Sequence, residues 1–294
     1  MSALRLGAVP YLNAAPLLEG LSGDPQVALE LAVPSVLAAR WREGAYDAAL
    51  VPVGEALVVA EARLVRGMAI AAEGACESVK LFHRVPLDRV RSVALDRESV
   101  TSNMLLRVLA AERLGIAPEW RVPSPTDPFP PAADAFLSIG DKTFHVDPRA
   151  FEGVDLGQAW TEWTGLPFVF AAWAVMGAPP AGLAQRLAAA RRAGVAALGA
   201  IARRESAKLG IEAPFAEHYL RDCLRFDLGA REEEGIARFC DLARRHGLLP
   251  PSAAPRFHGE APVRASTRCS GAPSTPGGRR PARRQPDGWR STAP

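Results

Sequence analysis

The chain has 294 residues, of which 48% are hydrophobic and 23% are charged, enough apolar material for one large domain or two smaller ones. Its formal net charge is +3, but the segment from Pro251 onward holds eight arginines against two acidic residues, so residues 1–250 carry −3. A mildly acidic folded part excludes a basic nucleic-acid surface spread across it.

The sequence gives no sign of a secreted or membrane protein. Met1 leads directly into the first predicted strand, without the basic and apolar stretches of a secretion signal. No apolar run approaches the roughly 18 residues that cross a bilayer. The four cysteines are far apart and form no Cys-x-x-Cys pair, so neither a disulfide framework nor a metal site is predicted. We therefore expect a cytoplasmic protein.

The first stretch that indicates chemistry runs from Leu6 to Leu17. An apolar strand pattern ends at Tyr11 and Asn13, and a helix begins near Pro16, a residue that the first helical turn tolerates. Ligands of open α/β sheets bind at the C-terminal ends of the strands. The position of Asn13 therefore predicts that it faces a ligand cleft; the alternative is that it caps the helix.

Strand and helix patterns alternate along the following part of the chain, which is typical of an α/β fold. Strands are predicted at residues 27–33, 48–53, 64–72, 78–82 and 92–96, and a short helix at 34–44. The strand at 48–53 is apolar throughout, which indicates that both of its faces are covered.

A helix from about Ser99 to Gly115 is predicted by apolar residues at helical spacing and by its terminal glycine. Its first turn carries four polar residues, although one N-cap is sufficient: Ser99, Thr101, Ser102 and Asn103. Surplus hydroxyls beside unpaired backbone N–H groups favour an anion site, and an ordinary capped helix is the alternative.

The predicted strand at 135–139 ends in Gly140-Asp141-Lys142, which either points toward the same ligand edge or forms an ordinary turn. Three helical patterns between residues 182 and 248 lack converging polar residues and are assigned a covering role. The segment 251–294 is rich in proline, glycine and serine, which predicts a disordered tail because it cannot bury enough apolar surface.

Six segments, in their order and spacing, together resemble the chorismate dehydratases of the futalosine route to menaquinone. They are Gly7–Leu17, Asp47–Pro52, Ser78–Phe82, Ser99–Ser102, Ile139–Asp141 and Asp155–Trp173. The resemblance covers roughly residues 4–245. It implies a cofactor-independent hydro-lyase that converts chorismate into 3-(1-carboxyvinyloxy)benzoate and water.

The resemblance also implies an α/β, two-lobed, type 2 periplasmic-binding-protein-like fold with the ligand cleft between the lobes. Residues 1–86 would begin lobe one, 87–170 would form lobe two, 171–250 would return to lobe one with covering helices, and 251–294 would be the disordered basic tail. Chorismate is the expected small-molecule partner. No metal, nucleic acid or membrane insertion is expected, and a homodimer is left open.

The resemblance implies two catalytic residues, Asn13 and Asp141. The implied substrate-binding residues are Tyr11, Ser78, Arg84, Ser99, Thr101, Ser102, Asn103 and Gly140. The start of the Ser99 helix would hold one carboxylate of the substrate, and Ser78 with Lys80 or Arg84 would hold the other.

The general base stays open between a substrate carboxylate, Asp141 and His83. Asn13 is not a candidate, because an amide has no useful proton affinity; it can only orient a ligand by hydrogen bonds. Two positions depart from the family, which often has serine where this chain has Val53-Gly54 and His83.

Two other functions remain as alternatives. One is a solute-binding protein or sensor without chemistry, because proteins of this fold often only bind. The other is the sister enzyme dihydroxynaphthoate synthase, which carries Ile-His-Glu where this chain has Ile139-Gly140-Asp141. The missing histidine argues against the second.

Overall fold

The computed structural model describes residues 3–259, which form two α/β lobes, each built on its own sheet. The strands are β1 Leu4–Ala8, β2 Val27–Leu31, β3 Ala48–Pro52, β4 Ala62–Ala72, β5 Val79–His83, β6 Ser92–Ala94, β7 Glu119–Arg121, β8 Ala135–Ile139, β9 Glu152–Asp155, β10 Phe168–Met176 and β11 Phe257–His258. The α-helices are α1 Ala15–Leu18, α2 Pro34–Arg42, α3 Val53–Val58, α4 Val100–Leu109, α5 Leu156–Thr164, α6 Leu183–Ala196, α7 Leu198–Leu209, α8 Ala213–His218 and α9 Ala230–Arg245.

The six-stranded sheet of lobe one has the order β11-β4-β10-β3-β1-β2, and the five-stranded sheet of lobe two has the order β7-β6-β8-β5-β9. In lobe one, β1 runs parallel to β2 and β3, whereas β10 is antiparallel to β3 and β4. The chain crosses to lobe two between β4 and β5, and it returns between α5 and β10. The predicted two-lobed α/β fold is confirmed, and the chain passes between the lobes twice.

The predicted lobe boundaries need correction. Strand β5 pairs with β8 and β9, so residues 79–83 belong to lobe two and not to a first segment ending at 86. Strand β10 begins at Phe168, so lobe one resumes before residue 171. The apolar pattern of a strand indicates that it is extended, but it does not indicate which sheet the strand joins.

The packed part of the chain extends beyond Pro250, so the predicted start of the tail at 251 is also corrected. Ala253 is buried, and β11 pairs in parallel with β4. The average composition of the segment concealed this short strand. Residues 260–294, the rest of the predicted tail, lie outside the described residues.

The three described cysteines, Cys76, Cys223 and Cys240, are buried free thiols; Cys269 lies outside the described residues. Within residues 3–259, none of the helices combines the length and the apolar character that a bilayer crossing requires.

Close packing around β1 places the C-terminal ends of the strands against lobe two. A Cβ at Gly7 would lie 2.6 Å from Leu37 Cδ1, so the glycine lets α2 pack directly on β1. Strand β8 of lobe two is buried along its whole length. The polar residues that follow β1, β6 and β8 consequently converge between the lobes.

Candidate active site

A cavity lies between the lobes at the C-terminal ends of β1, β3 and β8, where the strand-end rule predicts a ligand. Both lobes contribute to its lining, which includes six of the ten predicted site residues: Tyr11, Asn13, Ser78, Ser99, Ser102 and Gly140. None of the described residues that line it is a lysine or an arginine. The cavity therefore offers mostly neutral hydrogen-bonding groups.

The cavity is small. Its volume is about 60 Å³, whereas small-molecule pockets usually measure about 300–1,000 Å³. Tyr11 Oη of lobe one donates to Glu98 Oε2 of lobe two at 2.8 Å across it, and a second bond between the lobes, from the Gly54 N–H to Thr101 Oγ1 at 2.8 Å, lies outside it. A carboxylic acid that contains a six-membered ring does not fit this volume, so its binding requires the lobes to move apart.

Asn13 is one of the residues that line this cavity. Asn13 Oδ1 is buried and has no hydrogen-bond partner among the described residues. No side chain caps either the 3₁₀ turn at Leu12–Ala14 or helix α1, so Asn13 does not act as a cap. An unpaired buried acceptor is costly in a folded protein, and such a group fits a role toward a bound ligand.

The first turn of α4 forms the lobe-two wall of the cavity. Ser99 is the N-cap, and its Oγ accepts the Ser102 N–H at 3.1 Å. The first N–H groups of a helix have no partner within it, and together with the helix dipole they favour an anion. Ser99 and Ser102 line the cavity at this helix end.

Thr101 does not face the cavity, which corrects its predicted role. Its hydroxyl accepts the Gly54 N–H from lobe one and is buried. A Cβ at Gly54 would lie 3.2 Å from Thr101 Oγ1 and 3.4 Å from Met104 Sδ. The glycine thus allows α4 to approach lobe one closely.

The predicted substrate-binding role of Asn103 is also corrected, because both the oxygen and the nitrogen of its amide form hydrogen bonds within lobe two. Its Oδ1 accepts the Asp96 N–H at 3.0 Å, and its Nδ2 donates to the Asp96 carbonyl at 2.7 Å. These bonds fix the loop that precedes α4.

Arg84 lies outside the cavity, contrary to its predicted role. It is exposed, and it donates to the carbonyls of Pro131 and Ala133. Arg84 follows the end of β5 that points away from the cleft, which the sequence pattern could not show. The other predicted cation on this strand, Lys80, is paired with Glu77 at 2.5 Å.

Asp141 and His83, the two protein candidates for the base, do not line the cavity. Asp141 faces an adjacent recess of about 590 Å³, and its carboxylate accepts the Leu12 N–H at 3.2 Å. Burial raises the pKa of Asp141 to about 6, partly offset by the Leu12 hydrogen bond. His83 is buried, with its Nδ1 2.9 Å from the Val85 carbonyl.

Sequence reasoning missed two residues, Glu98 and Tyr219. Glu98 is the one carboxylate among the described residues that line the cavity; its place next to an N-cap at a strand end could have indicated it. Burial and the contact with Glu98 raise the pKa of the Tyr11 phenol, so Tyr11 remains a donor. Tyr219 donates to Ser78 Oγ at 2.7 Å from the helices assigned a covering role, and no local signal marks it.

The site contains no visible arrangement for a metal. Across residues 3–259, no group of three or more histidine, cysteine, aspartate or glutamate side chains is placed to hold a metal ion.

Sequence comparison matches residues 4–245 to a protein family described as menaquinone biosynthesis. A chorismate dehydratase of Thermus thermophilus is 34% identical over 197 residues, which cover 60% of this chain and 72% of that protein.

Several solved structures share the fold. A protein from Archaeoglobus fulgidus superposes with a TM-score of 0.67 at 16% identity, covering 84% of this chain and 98% of that one. The alkanesulfonate-binding protein SsuA from Xanthomonas axonopodis, bound to MOPS, gives 0.61 at 15% identity, covering 86% and 96%. The aliphatic sulphonate-binding protein SsuA of Escherichia coli gives 0.57 at 17% identity, covering 88% and 95%. At these identities the likeness shows the periplasmic-binding-protein-like fold alone.

Proposed function

The chain belongs to the chorismate dehydratase family of menaquinone biosynthesis, and on that premise we propose that it removes water from chorismate in the cavity between its lobes. The product is 3-(1-carboxyvinyloxy)benzoate, formed on the futalosine route. The observation that carries this proposal is the convergence of Asn13, Ser78 and the Ser99–Ser102 helix start on one cavity. These residues come from three separate segments of the family resemblance and from both lobes.

The reaction requires little beyond positioning and electrostatics. Loss of the C3 proton leaves a carbanion that delocalises through the ring alkene into the ring carboxylate. The C4–O bond then breaks, the leaving hydroxide takes up the proton that the base removed from C3, and the ring becomes aromatic as water is released. No electrons or groups pass to a third molecule, so the proposal includes no cofactor; the protein has to hold a dianion in a reactive geometry.

The cavity residues fit these tasks. The first turn of α4, with Ser99 and Ser102, holds the ring carboxylate, where negative charge accumulates as the proton leaves. Ser78 donates a hydrogen bond to the ligand from the base of the cavity. Asn13 Oδ1 accepts a hydrogen bond from the C4 hydroxyl and so fixes the position of the substrate in the cavity.

The base is a carboxylate of the substrate itself. Neither Asp141, which faces the adjacent recess, nor His83 lines the cavity, and this favours a substrate carboxylate as the base. Glu98 lines the cavity, but its Oε2 already accepts the Tyr11 hydroxyl. The enolpyruvyl carboxylate is attached at C3 through oxygen and travels with the substrate into the closed cleft.

The proposal is tested with the purified 294-residue protein, chorismate and EDTA. We expect an aromatic product with an ultraviolet spectrum distinct from chorismate and a mass lower by one water. Turnover that requires added metal would contradict the cofactor-free reaction. Chorismate that binds and returns unchanged would favour a solute-binding protein, which the SsuA-like fold makes the relevant second candidate.

A further inference from the structure

Tyr219 is buried directly behind Ser78, although it belongs to the helices that cover lobe one. Its Oη donates to Ser78 Oγ at 2.7 Å, and Ser78 lines the cavity. The ring of Phe144, from lobe two, packs edge-on against the Tyr219 ring with the centroids 5.1 Å apart. Two contacts with the lobe-two side, at Ser78 and Phe144, thus hold this side chain of a lobe-one helix in place.

The backbone at Tyr219 is unusual. Helix α8 ends at His218 and continues as a five-residue π-helical segment, Tyr219–Cys223. Such segments are rare, and they occur frequently at functional sites. The same irregularity occurs at Ala110–Leu114, away from the cavity, so it is the contacts of Tyr219 that indicate a role for this residue.

The bond from Tyr219 determines how Ser78 can act. A serine hydroxyl carries one proton and two acceptor lone pairs. Because Tyr219 occupies one lone pair as the donor, the Ser78 proton remains available to the cavity. Burial raises the pKa of the Tyr219 phenol, which the neighbouring Ser78 and Asn13 side chains partly offset, so the phenol keeps the proton that it donates.

Asn13 Oδ1 has no hydrogen-bond partner within residues 3–259. At the cavity, Ser78 is therefore left as a donor and Asn13 Oδ1 as an acceptor.

We propose that Tyr219 is a positioning residue that holds the Ser78 hydroxyl as a hydrogen-bond donor toward the substrate. The inference rests on the proposed function and adds a residue to it. Tyr219 does not line the cavity, so it acts through Ser78 and not on the substrate.

The test is a double-mutant cycle with Tyr219→Phe, Ser78→Ala and the double variant, read in kcat and KM for chorismate. Tyr219→Phe keeps the ring and removes only the phenol oxygen. We expect it to lower kcat/KM about 10-fold in the wild-type background and less than about twofold in the Ser78→Ala background, because its effect passes through the serine. Tyr46→Phe is the matched control, since Tyr46 is buried against lobe-one residues outside the cavity; we expect unchanged kinetics.

The outcomes separate this inference from the function. If the wild type turns chorismate over and the effects of the two substitutions are additive, the role of Tyr219 is overturned but the proposed function is not. If the wild type binds chorismate without turnover, the proposed reaction fails and the same cycle is read in Kd by calorimetry. If the wild type shows no turnover and no binding of chorismate, the proposed function and the role of Tyr219 are both overturned. If Tyr219→Phe does not fold, Ser78→Cys replaces it, because sulfur is a weak acceptor; wild-type kcat in that variant would contradict the proposal.

Discussion

Asn13 lines the cavity, and its Oδ1 is buried without a hydrogen-bond partner within residues 3–259. A group of this kind does not stabilise the folded chain, since its desolvation is uncompensated. We therefore propose a ligand-binding role for Asn13, because no side-chain hydrogen bond supports the capping alternative.

We expect Asn13→Ala to lower kcat about 10- to 100-fold, because a hydrogen bond to a charged or reacting group contributes about 1.5–3 kcal/mol. The midpoint of thermal unfolding should stay within about 2 °C of the wild type or rise, since no hydrogen bond of the fold is lost. Steady-state kinetics and calorimetry measure both quantities. A lowered Tm with unchanged kcat would return Asn13 to a structural role.

Substitution of Glu98 tests whether the base belongs to the protein or to the substrate. With the substrate as its own base, Glu98→Gln keeps an acceptor for Tyr11 and removes a negative charge that faces a dianion. We expect kcat within about threefold of the wild type and a lower KM. Glu152→Gln, at an exposed position, is the control. A loss of kcat greater than about 100-fold would identify Glu98 as the base.

Asp141 links the site to pH-dependent stability. Its pKa of about 6 lies above the unfolded value of about 3.9, so the ionised carboxylate is disfavoured in the folded chain. The stability that it contributes is complete below the unfolded pKa and is lost as the pH rises through about 6.

We therefore expect Asp141→Asn to raise the free energy of unfolding at pH 7.5. This increase should exceed the effect of the same substitution at pH 4 by up to about 2 kcal/mol. The amide oxygen can still accept the Leu12 N–H. Urea unfolding at the two pH values measures the difference, with the exposed Asp88→Asn as the control for removing a surface aspartate. An equal effect at both pH values would contradict the buried-carboxylate account.

At the scale of elements, close helix packing fixes the segment that carries Asn13. A Cβ at Gly194 in α6 would lie 1.9 Å from the Pro16 carbonyl oxygen in α1. The backbone of α1 cannot give way without moving the turn at Leu12–Ala14.

Gly194→Ala should therefore lower the free energy of unfolding by about 1–3 kcal/mol, although alanine usually favours a helix. Gly199→Ala in α7 is the matched control, because its Cβ would meet only the movable Glu217 side chain at 3.1 Å. We expect that variant to match or exceed the wild type in urea unfolding. Equal behaviour of the two variants would refute the packing argument.

Local patterns predicted the elements well, because strand and helix signals are local. Strand β8 was predicted with its observed bounds, and the helix that begins after Ser99 ends its last turn at Gly115, which has a φ of 63°. Long-range pairings were not predictable in this way. The sheet that β5 joins, and the bond between Ser78 and Tyr219 across 141 residues, depend on tertiary contacts that no local period records.

About half of the predicted site residues were found from their positions at strand ends. The wrong predictions have one physical origin. Residues directly after β1, β6 and β8 reached the cavity because the strand ends converge there. Arg84 and Asn103 are polar, and each lies near a predicted site segment in the sequence. Their side chains, however, donate hydrogen bonds to the backbone carbonyls of Ala133 and Asp96. The direction of a side chain in a loop could not be read from residue type alone.

At the scale of the molecule, residues 251–259 complete lobe one. The Leu64 N–H donates to the Arg256 carbonyl at 2.8 Å, and Arg66 donates to the Gly259 carbonyl at 2.8 Å. We expect truncation after Pro250 to lower Tm by at least about 4 °C, because these bonds and the buried Ala253 are lost.

Truncation after Gly259 is the matched comparison. From the Pro-, Gly- and Ser-rich composition of the removed segment, we expect wild-type Tm and kcat. Loss of activity in this variant at both low and high salt would show that residues 260–294 belong to the functional fold. Loss at low salt alone would indicate electrostatic docking of this basic segment, because salt screens exposed charges.

The central claim is that this protein removes the C3 proton and the C4 hydroxyl of chorismate in the cleft between its lobes. Chorismate with deuterium at C3, incubated with the 294-residue protein in EDTA, tests it most directly by mass spectrometry. We predict 3-(1-carboxyvinyloxy)benzoate without deuterium, formed more slowly than from unlabelled chorismate when proton removal limits the rate. Chorismate returned unchanged, or an aromatic product that retains the deuterium, would contradict the account.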